Sequence, residues 1–167
     1  PVNGTKNGFH YGYSWCGGRC RWGTREKVKM LDTYAKSKNA IVCVGIAYDE
    51  QNRLKRLPDW KHSTIADYKM TEADCLQYCY GNGWNWLEGN VELYSILDRV
   101  SCWCCANKNL KELKNIYLYL PEYWDKLKVM QSKLSRPMKG FYKGKPVGIF
   151  ELEERFKKEM EIRATDS

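Results

Sequence analysis

Four cysteines in two short pairs are the residues of this chain whose type and spacing best suit chemistry. Cys16 and Cys20 flank a Gly-Gly-Arg tripeptide, and about 80 residues later Cys102 and Cys105 enclose a Trp-Cys dipeptide. Two such pairs, brought together by a fold, can supply four soft thiolates to one zinc ion or one iron–sulfur cluster. The spacing therefore predicts a metal site with Cys16, Cys20, Cys102 and Cys105 as ligands. A disulfide and scattered reduced thiols are the alternatives.

The remaining cysteines have other expected roles. Cys43 lies in an apolar run typical of a buried strand, so we expect it to pack in the core. Cys75 and Cys79 are four residues apart in a predicted helix and share one face, which favours two core thiols over two further ligands. Cys104 would then be spare, either as a core residue or as a reactive thiol.

The charge balance favours an anionic partner. Lys and Arg number 28 and Asp and Glu 20, which gives a net charge of +8. A nucleotide, a sulfated metabolite and a nucleic acid are all compatible with this sign. Basic residues concentrate in the segments 19–29 and 53–61. The planar guanidinium of arginine can hold phosphate or sulfate oxygens in a bidentate manner, which an ammonium group cannot.

Length and composition exclude several classes of protein. The chain has 167 residues, 43% of them hydrophobic and 14% aromatic, which excludes a disordered tail. No apolar run approaches the roughly 18 residues of a membrane span, and the N-terminal residues do not resemble a signal peptide. We therefore expect a soluble, cytoplasmic protein whose first residue looks like an internal cut. This expectation and the placement of Cys43 oppose a secreted, disulfide-bonded protein.

Helices and one clear strand must position these residues. Helical periodicity and caps predict helices over 24–37, 71–80, 108–120, 121–134 and 150–162. The run 40–47 is apolar on both faces, as in a parallel sheet covered on two sides, and predicts an α/β fold. The polar loop 48–53 follows at the end of this strand, where ligands bind in such sheets. The Gly- and Pro-containing connector 135–148 is predicted to be mobile.

Four ordered segments carry a resemblance that spans nearly the whole chain. They are Cys-Gly-Gly-Arg-Cys-Arg-Trp-Gly-Thr-Arg at 16–25, Val-Gly-Ile-Ala-Tyr-Asp-Glu at 44–50, Met-Thr-Glu-Ala-Asp at 70–74 and Asp-Arg-Val-Ser-Cys-Trp-Cys-Cys at 98–105. Together they resemble the phosphoadenosine phosphosulfate reductase family, in its iron–sulfur branch related to DNA phosphorothioation sulfurtransferases. The resemblance implies an adenine-nucleotide alpha-hydrolase-like parallel sheet with helices, here incomplete. Residues 1–101 would form the C-terminal part of the nucleotide-binding domain, and residues 102–167 a helical, cluster-binding region.

The resemblance also implies roles for individual residues. It favours a [4Fe–4S] cluster over zinc at Cys16, Cys20, Cys102 and Cys105, and it places phosphate and sulfate groups against the basic residues Arg21, Arg25, Lys27 and Arg53. The family's reductases use a tail cysteine as nucleophile, but no cysteine follows Cys105. Cys104, an external thiol, or a different reaction such as sulfur transfer would have to replace that nucleophile.

The resemblance leaves two functions open. The first is an enzyme that binds ATP or a sulfonucleotide and reduces or transfers sulfur. The family's phosphate-binding loop lies about 100 residues upstream of the first cysteine pair, so an upstream half carrying this loop is an expected partner. The second is a metal-stabilised module that binds nucleic acid or protein without turnover. A second copy of the chain is a further candidate partner, whereas no membrane partner is expected.

Overall fold

The structure is a computed structural model that describes residues 2–5, 8–11, 15, 20 and 24–165. The helices are α1 Thr24–Ser37, α2 Gln51–Leu54, α3 Thr64–Asp67, α4 Glu72–Gly81, α5 Leu93–Ile96, α6 Leu110–Tyr119, α7 Pro121–Ser132 and α8 Ile149–Thr165. The strands are β1 Val2–Thr5, β2 Gly8–Tyr11, β3 Val42–Cys43, β4 Lys61–His62, β5 Leu87–Glu88, β6 Val91–Glu92, β7 Phe141–Tyr142 and β8 Lys145–Pro146.

The chain forms two compact units. The split unit comprises Pro1–Cys20 and Glu88–Ser167, and the continuous unit comprises Arg21–Leu87. This division does not coincide with the boundary between residues 101 and 102 that the sequence suggested. It places Cys20 in the same unit as the segment 102–105, although more than 80 positions of sequence separate them.

The split unit is built around α6, α7 and α8. Its core contains Leu113, Leu127, Ile149, Leu152 and Phe156, which are almost completely buried. Three aromatic rings, those of Tyr117, Trp124 and Phe156, contact one another with centroid separations between 5.3 and 5.9 Å. The predicted helices over 108–120, 121–134 and 150–162 are confirmed as α6, α7 and α8, with small shifts of their ends.

The connector between α7 and α8 is folded rather than irregular. Strands β7 and β8 form an antiparallel hairpin in which Tyr142 is opposite Lys145. The two residues between them, Lys143 and Gly144, have φ of 49° and 75°. Positive φ at both positions is the geometry of a type I′ turn, which matches the twist of a two-residue hairpin. The prediction that the connector 135–148 is mobile did not take this turn into account.

The continuous unit contains little sheet. Strand β3 pairs with β4 in parallel, with Val42 opposite Lys61 and Cys43 opposite His62. The predicted strand over 40–47 is thus only two residues long, because β4 offers it a partner only over that length. An ion pair of 2.6 Å joins Lys61 on β4 to Asp32 on α1.

The fold is mixed, with helices and small sheets. It agrees with α/β in the general sense, but the sheets of the described residues are all two-stranded. The adenine-nucleotide alpha-hydrolase-like sheet therefore remains a prediction from the resemblance. In the described part of the chain, no helix combines the length and apolar character needed to cross a membrane.

Candidate functional site

The segment 102–105 is a tight turn in front of α6. The amide of Cys105 donates to the carbonyl of Cys102 at 2.9 Å, which closes the turn. Cys102 is exposed, whereas Cys104 and Cys105 are half-buried. A turn of this kind brings its first and last residues within about 7 Å, which is the arrangement that Cys-x-x-Cys pairs use to share one metal.

Cys20 lies within electrostatic range of this turn. Burial is the main factor that raises the pKa of Cys104, and the neighbouring thiols Cys102, Cys105 and Cys20 raise it further. Cys20 therefore belongs to the same unit as the second pair and lies near enough to Cys104 to act on it electrostatically. Cys16, the remaining predicted ligand, lies outside the described residues.

The described cysteines do not form a preorganised metal-binding group. Within the described ranges, no three Cys, His, Asp or Glu side chains lie close enough together to hold one metal ion. The six described cysteines from Cys43 to Cys105 are free thiols, so they remain available as ligands. Free thiols, partial exposure and a closed Cys-x-x-Cys turn fit the donor chemistry of a cluster or of zinc.

Cys104, the candidate nucleophile, differs from its neighbours in packing. Its side chain contacts the apolar core of the split unit. Because burial and adjacent thiolates raise its pKa, Cys104 is held as a thiol more strongly than an ordinary cysteine. The geometry thus agrees with the expectation of a core residue, and a role as nucleophile needs an additional group that stabilises its thiolate.

Lys139 fixes the chain that follows the cysteines. Its ammonium group donates to the carbonyls of Ala106 at 2.8 Å and Lys108 at 2.6 Å. Burial lowers the pKa of Lys139, while Cys105 and Glu112 oppose this change. Lys139 therefore holds the segment 106–108 in place after the cysteines.

Asp98 holds the other end of the cysteine segment. Its carboxylate accepts hydrogen bonds from Asn109 at 2.8 Å and Lys111 at 3.2 Å. These bonds, the Asn109 bond first, lower the pKa of Asp98. Asn109 is also the N-cap of α6. Its side chain accepts a hydrogen bond from the backbone amide of Glu112, and the Glu112 carboxylate accepts one from the backbone amide of Asn109.

We expect Asp98→Asn to lower the free energy of unfolding at pH 7 by an amount that disappears in acid. A carboxylate whose pKa is lowered on folding stabilises the fold above its unfolded pKa, and this contribution is lost as the pH falls through the folded pKa. Urea unfolding of both proteins between about pH 5 and pH 2 measures the gap. Asp59→Asn, a change at an exposed carboxylate, is the control. A gap that stays constant across this range contradicts the prediction.

The predicted basic residues belong to the continuous unit. Arg25 and Lys27 are exposed on α1, and Arg21 lies outside the described residues. Arg53 is 55% exposed and forms an ion pair with Glu50. Glu50 also accepts a hydrogen bond from the amide of Ala47 at 3.3 Å. Glu50 thus both orients the Arg53 guanidinium and stabilises the turn at Ala47.

Asp49, in the same polar loop, has a structural partner. Its carboxylate accepts a hydrogen bond of 3.1 Å from the amide of Glu72, the first residue of α4. Thr71 and Asp74 complete a capping box there. The loop 48–53 is therefore fixed to the start of α4 and leaves the Arg53 guanidinium facing solvent.

The cysteines of the continuous unit depart from expectation in part. Cys43 is exposed, so the prediction that it packs in a core is wrong. Cys75 and Cys79 are half-buried on α4. The pKa of Cys75 is raised by burial first and then by Asp74, Cys79 and Asp49. The four-residue spacing does bring the two thiols within electrostatic range of one another.

Two buried polar residues of the split unit, Lys108 and Gln131, carry no sequence signal. Gln131 is buried. Its side-chain oxygen accepts hydrogen bonds from the indole of Trp15 at 3.2 Å and from the backbone amide of Met138 at 3.0 Å. Lys108 is buried as well, although a lysine beside Asn107 and Asn109 resembles an ordinary solvated charge. The long sequence separations of the Trp15–Gln131 and Lys139 contacts, 116 and 31–33 residues, leave no local pattern to detect.

Comparisons of the chain with protein-family models, with curated proteins and with solved structures found no match.

Proposed function

We propose that this chain is an iron–sulfur protein similar to phosphoadenosine phosphosulfate reductases, which binds an adenine nucleotide or sulfonucleotide and reduces or transfers sulfur. The observation that carries the proposal is that Cys20 lies near enough to the turn 102–105 for its charge to raise the pKa of Cys104. Cys20 and the segment 102–105 belong to one unit although they are far apart in the sequence, which supports a shared metal site.

The proposed cluster ligands are Cys16, Cys20, Cys102 and Cys105, with zinc as the alternative metal. When bound, a [4Fe–4S] cluster would supply a redox-active group held by cysteine thiolates. The chain itself contributes the closed turn at Cys102 and Cys105 and the Lys139 ammonium group beside Cys105. The turn is held by its backbone hydrogen bond, and Lys139 holds the chain after it through the carbonyls of Ala106 and Lys108.

The nucleotide is proposed to bind through Arg21, Arg25, Lys27 and Arg53. Arg25, Lys27 and Arg53 are exposed and can contact phosphate or sulfate oxygens. Glu50 fixes the Arg53 guanidinium, which reduces the entropy lost when an anion binds. The sulfur nucleophile in this proposal is Cys104 or an external thiol.

The proposal includes a further segment that covers the continuous unit, because this unit exposes large apolar side chains. Met30, Leu31 and Tyr34 on α1 and Ile41 beside β3 are each more than half exposed. Exposed apolar patches of this kind mark interaction surfaces. An upstream half that adds strands beside β3 would cover them.

We expect Arg53→Met to weaken the binding of phosphoadenosine phosphosulfate by about 10- to 100-fold, the loss typical of one charge-assisted contact. Isothermal titration at low salt measures the affinities of the wild type and the variant. Arg56→Met is the matched control, since Arg56 is exposed in the same segment but has no assigned role. Equal losses in the two variants, or no binding to the wild type, would contradict the proposal.

A metal-stabilised nucleic-acid-binding module is the second candidate. Exposed aromatic rings on the continuous unit favour it, among them Tyr68 (81% exposed), Tyr78 and Trp84. Single-strand binders stack bases on such rings, between basic residues. Tight, salt-sensitive binding of a single-stranded oligonucleotide, with no affinity for the sulfonucleotide, would favour this function over the first.

A further inference from the structure

The split unit contains a cavity of about 190 Å³ next to the cysteine turn. Its walls are mostly apolar and come from α5, α6 and the chain between them, with Leu93, Leu97, Val100, Ile116 and Leu120 as the aliphatic residues. Trp103 and Tyr123 add two aromatic rings, whose centroids are 6.4 Å apart. Such a lining suits the apolar body of a small ligand.

One wall of this cavity carries a buried positive group. Lys108 is only 2% exposed, and its ammonium group donates a 2.9 Å hydrogen bond to the hydroxyl of Ser101. It forms no ion pair with a carboxylate of the described residues, and Ser101 is its side chain's only hydrogen-bond partner there. An ammonium group has three N–H donors, and leaving them unpaired in an apolar site is costly. Lys108 therefore offers further donors to a ligand that enters the cavity.

The acidic residue of the lining is already engaged. Glu88 accepts a hydrogen bond from the hydroxyl of Tyr123. Within the part of the chain that the structure describes, Lys108 thus has no carboxylate partner, whereas Glu88 has a donor of its own. This asymmetry favours an anionic ligand over a cationic one.

We propose that this cavity binds a small organic acid, with its carboxylate on Lys108 and Ser101 and its apolar body against Leu97, Ile116 and Trp103. A dry cavity of about 150 Å³ holds one benzene ring, so a monocyclic aryl acid or a short branched acid matches the available volume. A nucleotide is too large for it. The proposal is therefore independent of the sulfur chemistry proposed above and needs no metal.

The test is an NMR titration of the isotope-labelled full-length chain with sodium benzoate, and with benzyl alcohol as a neutral ligand of the same size. We expect benzoate to shift amide signals of residues 93–103 and 116–123 in a saturable manner, and to bind at least about tenfold more tightly than benzyl alcohol. Lys108→Met should abolish this preference for the acid. Lys111→Met, at an exposed lysine in the first turn of α6, should leave it unchanged.

Either outcome of the titration decides the question. Equal binding of benzoate and benzyl alcohol to the wild type, unaltered benzoate binding by the Lys108→Met variant, or no saturable shift overturns the proposal. If Lys108→Met fails to fold, Val100→Phe replaces it, because this change fills the cavity and retains Lys108 and Ser101. Loss of benzoate binding by the Val100→Phe variant supports the proposal, and retention refutes it. No nucleotide is present, so failure here says nothing against the proposed enzyme function.

Discussion

We expect the Cys105→Ser variant to lose its iron–sulfur cluster, whereas the wild type, reconstituted without oxygen, holds about four iron and four sulfide ions and absorbs near 400 nm. A serine hydroxyl is a poor substitute for a soft thiolate. The turn that joins Cys105 to Cys102 would also remain closed in the variant, because its hydrogen bond is formed by the backbone. The variant therefore removes the ligand and keeps its surroundings.

Cys43→Ser is the matched control for this experiment. Cys43 is an exposed free thiol of the continuous unit and has no proposed ligand role. Its replacement should leave iron and sulfide contents unchanged. A wild-type protein with one zinc ion would assign the site to zinc and favour the binding module. A wild type without metal, or equal metal contents in the wild type and the Cys105→Ser variant, would refute the ligand set.

The Phe156→Ala variant should be less stable than the wild type by about 3–5 kcal/mol, the usual cost of removing a large aromatic side chain from a core. Phe156 is 1% exposed, and its ring contacts those of Tyr117 and Trp124 at 5.9 and 5.8 Å. The cavity left behind would lie between α6, α7 and α8, which form the core of the split unit. Equilibrium unfolding in urea measures the change.

Phe150→Ala is the control, since Phe150 lies at the start of the same helix and is 45% exposed. We expect it to cost less than about 1 kcal/mol, as for most surface substitutions. Comparable losses from the two variants would mean that α8 does not pack through the face that contains Phe156. Because Cys104 contacts the same core, Phe156→Ala should also speed the alkylation of Cys104.

The helices could be predicted because their signals are local. Thr71 and Asp74 form the capping box that starts α4, and Pro121 occupies the first turn of α7. The predicted helix over 108–120 begins two residues before α6 does. The capping residue is Asn109, and Glu112 three positions later was the available signal.

The sheet and the burial of Cys43 could not be predicted in the same way. An apolar run indicates that a segment can form a buried strand, but its length depends on the partner that pairs with it. Strand β4 pairs with only two residues of the run 40–47. Cys43 is exposed because the residues that this structure describes place no layer over that side of β3.

The candidate site was predictable in part for a related reason. The spacing of Cys102 and Cys105 specifies a local turn, and the structure contains it. The contacts that hold the chain after this turn come from a distant position. Lys139, in the connector after α7, donates hydrogen bonds to the carbonyls of Ala106 and Lys108. Neither the charge of Lys139 nor that of Lys108 carries a sequence pattern that distinguishes a buried group from a solvated one.

The contacts of Lys139 also set an order of events during synthesis. The ribosome makes the cysteine turn first and Lys139 31–33 residues after the carbonyls it binds. At typical elongation rates this interval lasts about 2–7 seconds. During that interval the chain after the nascent turn lacks the two hydrogen bonds from Lys139. Helices α6 and α7 lie between these partners in the sequence, so both helices are synthesised before the contact can form.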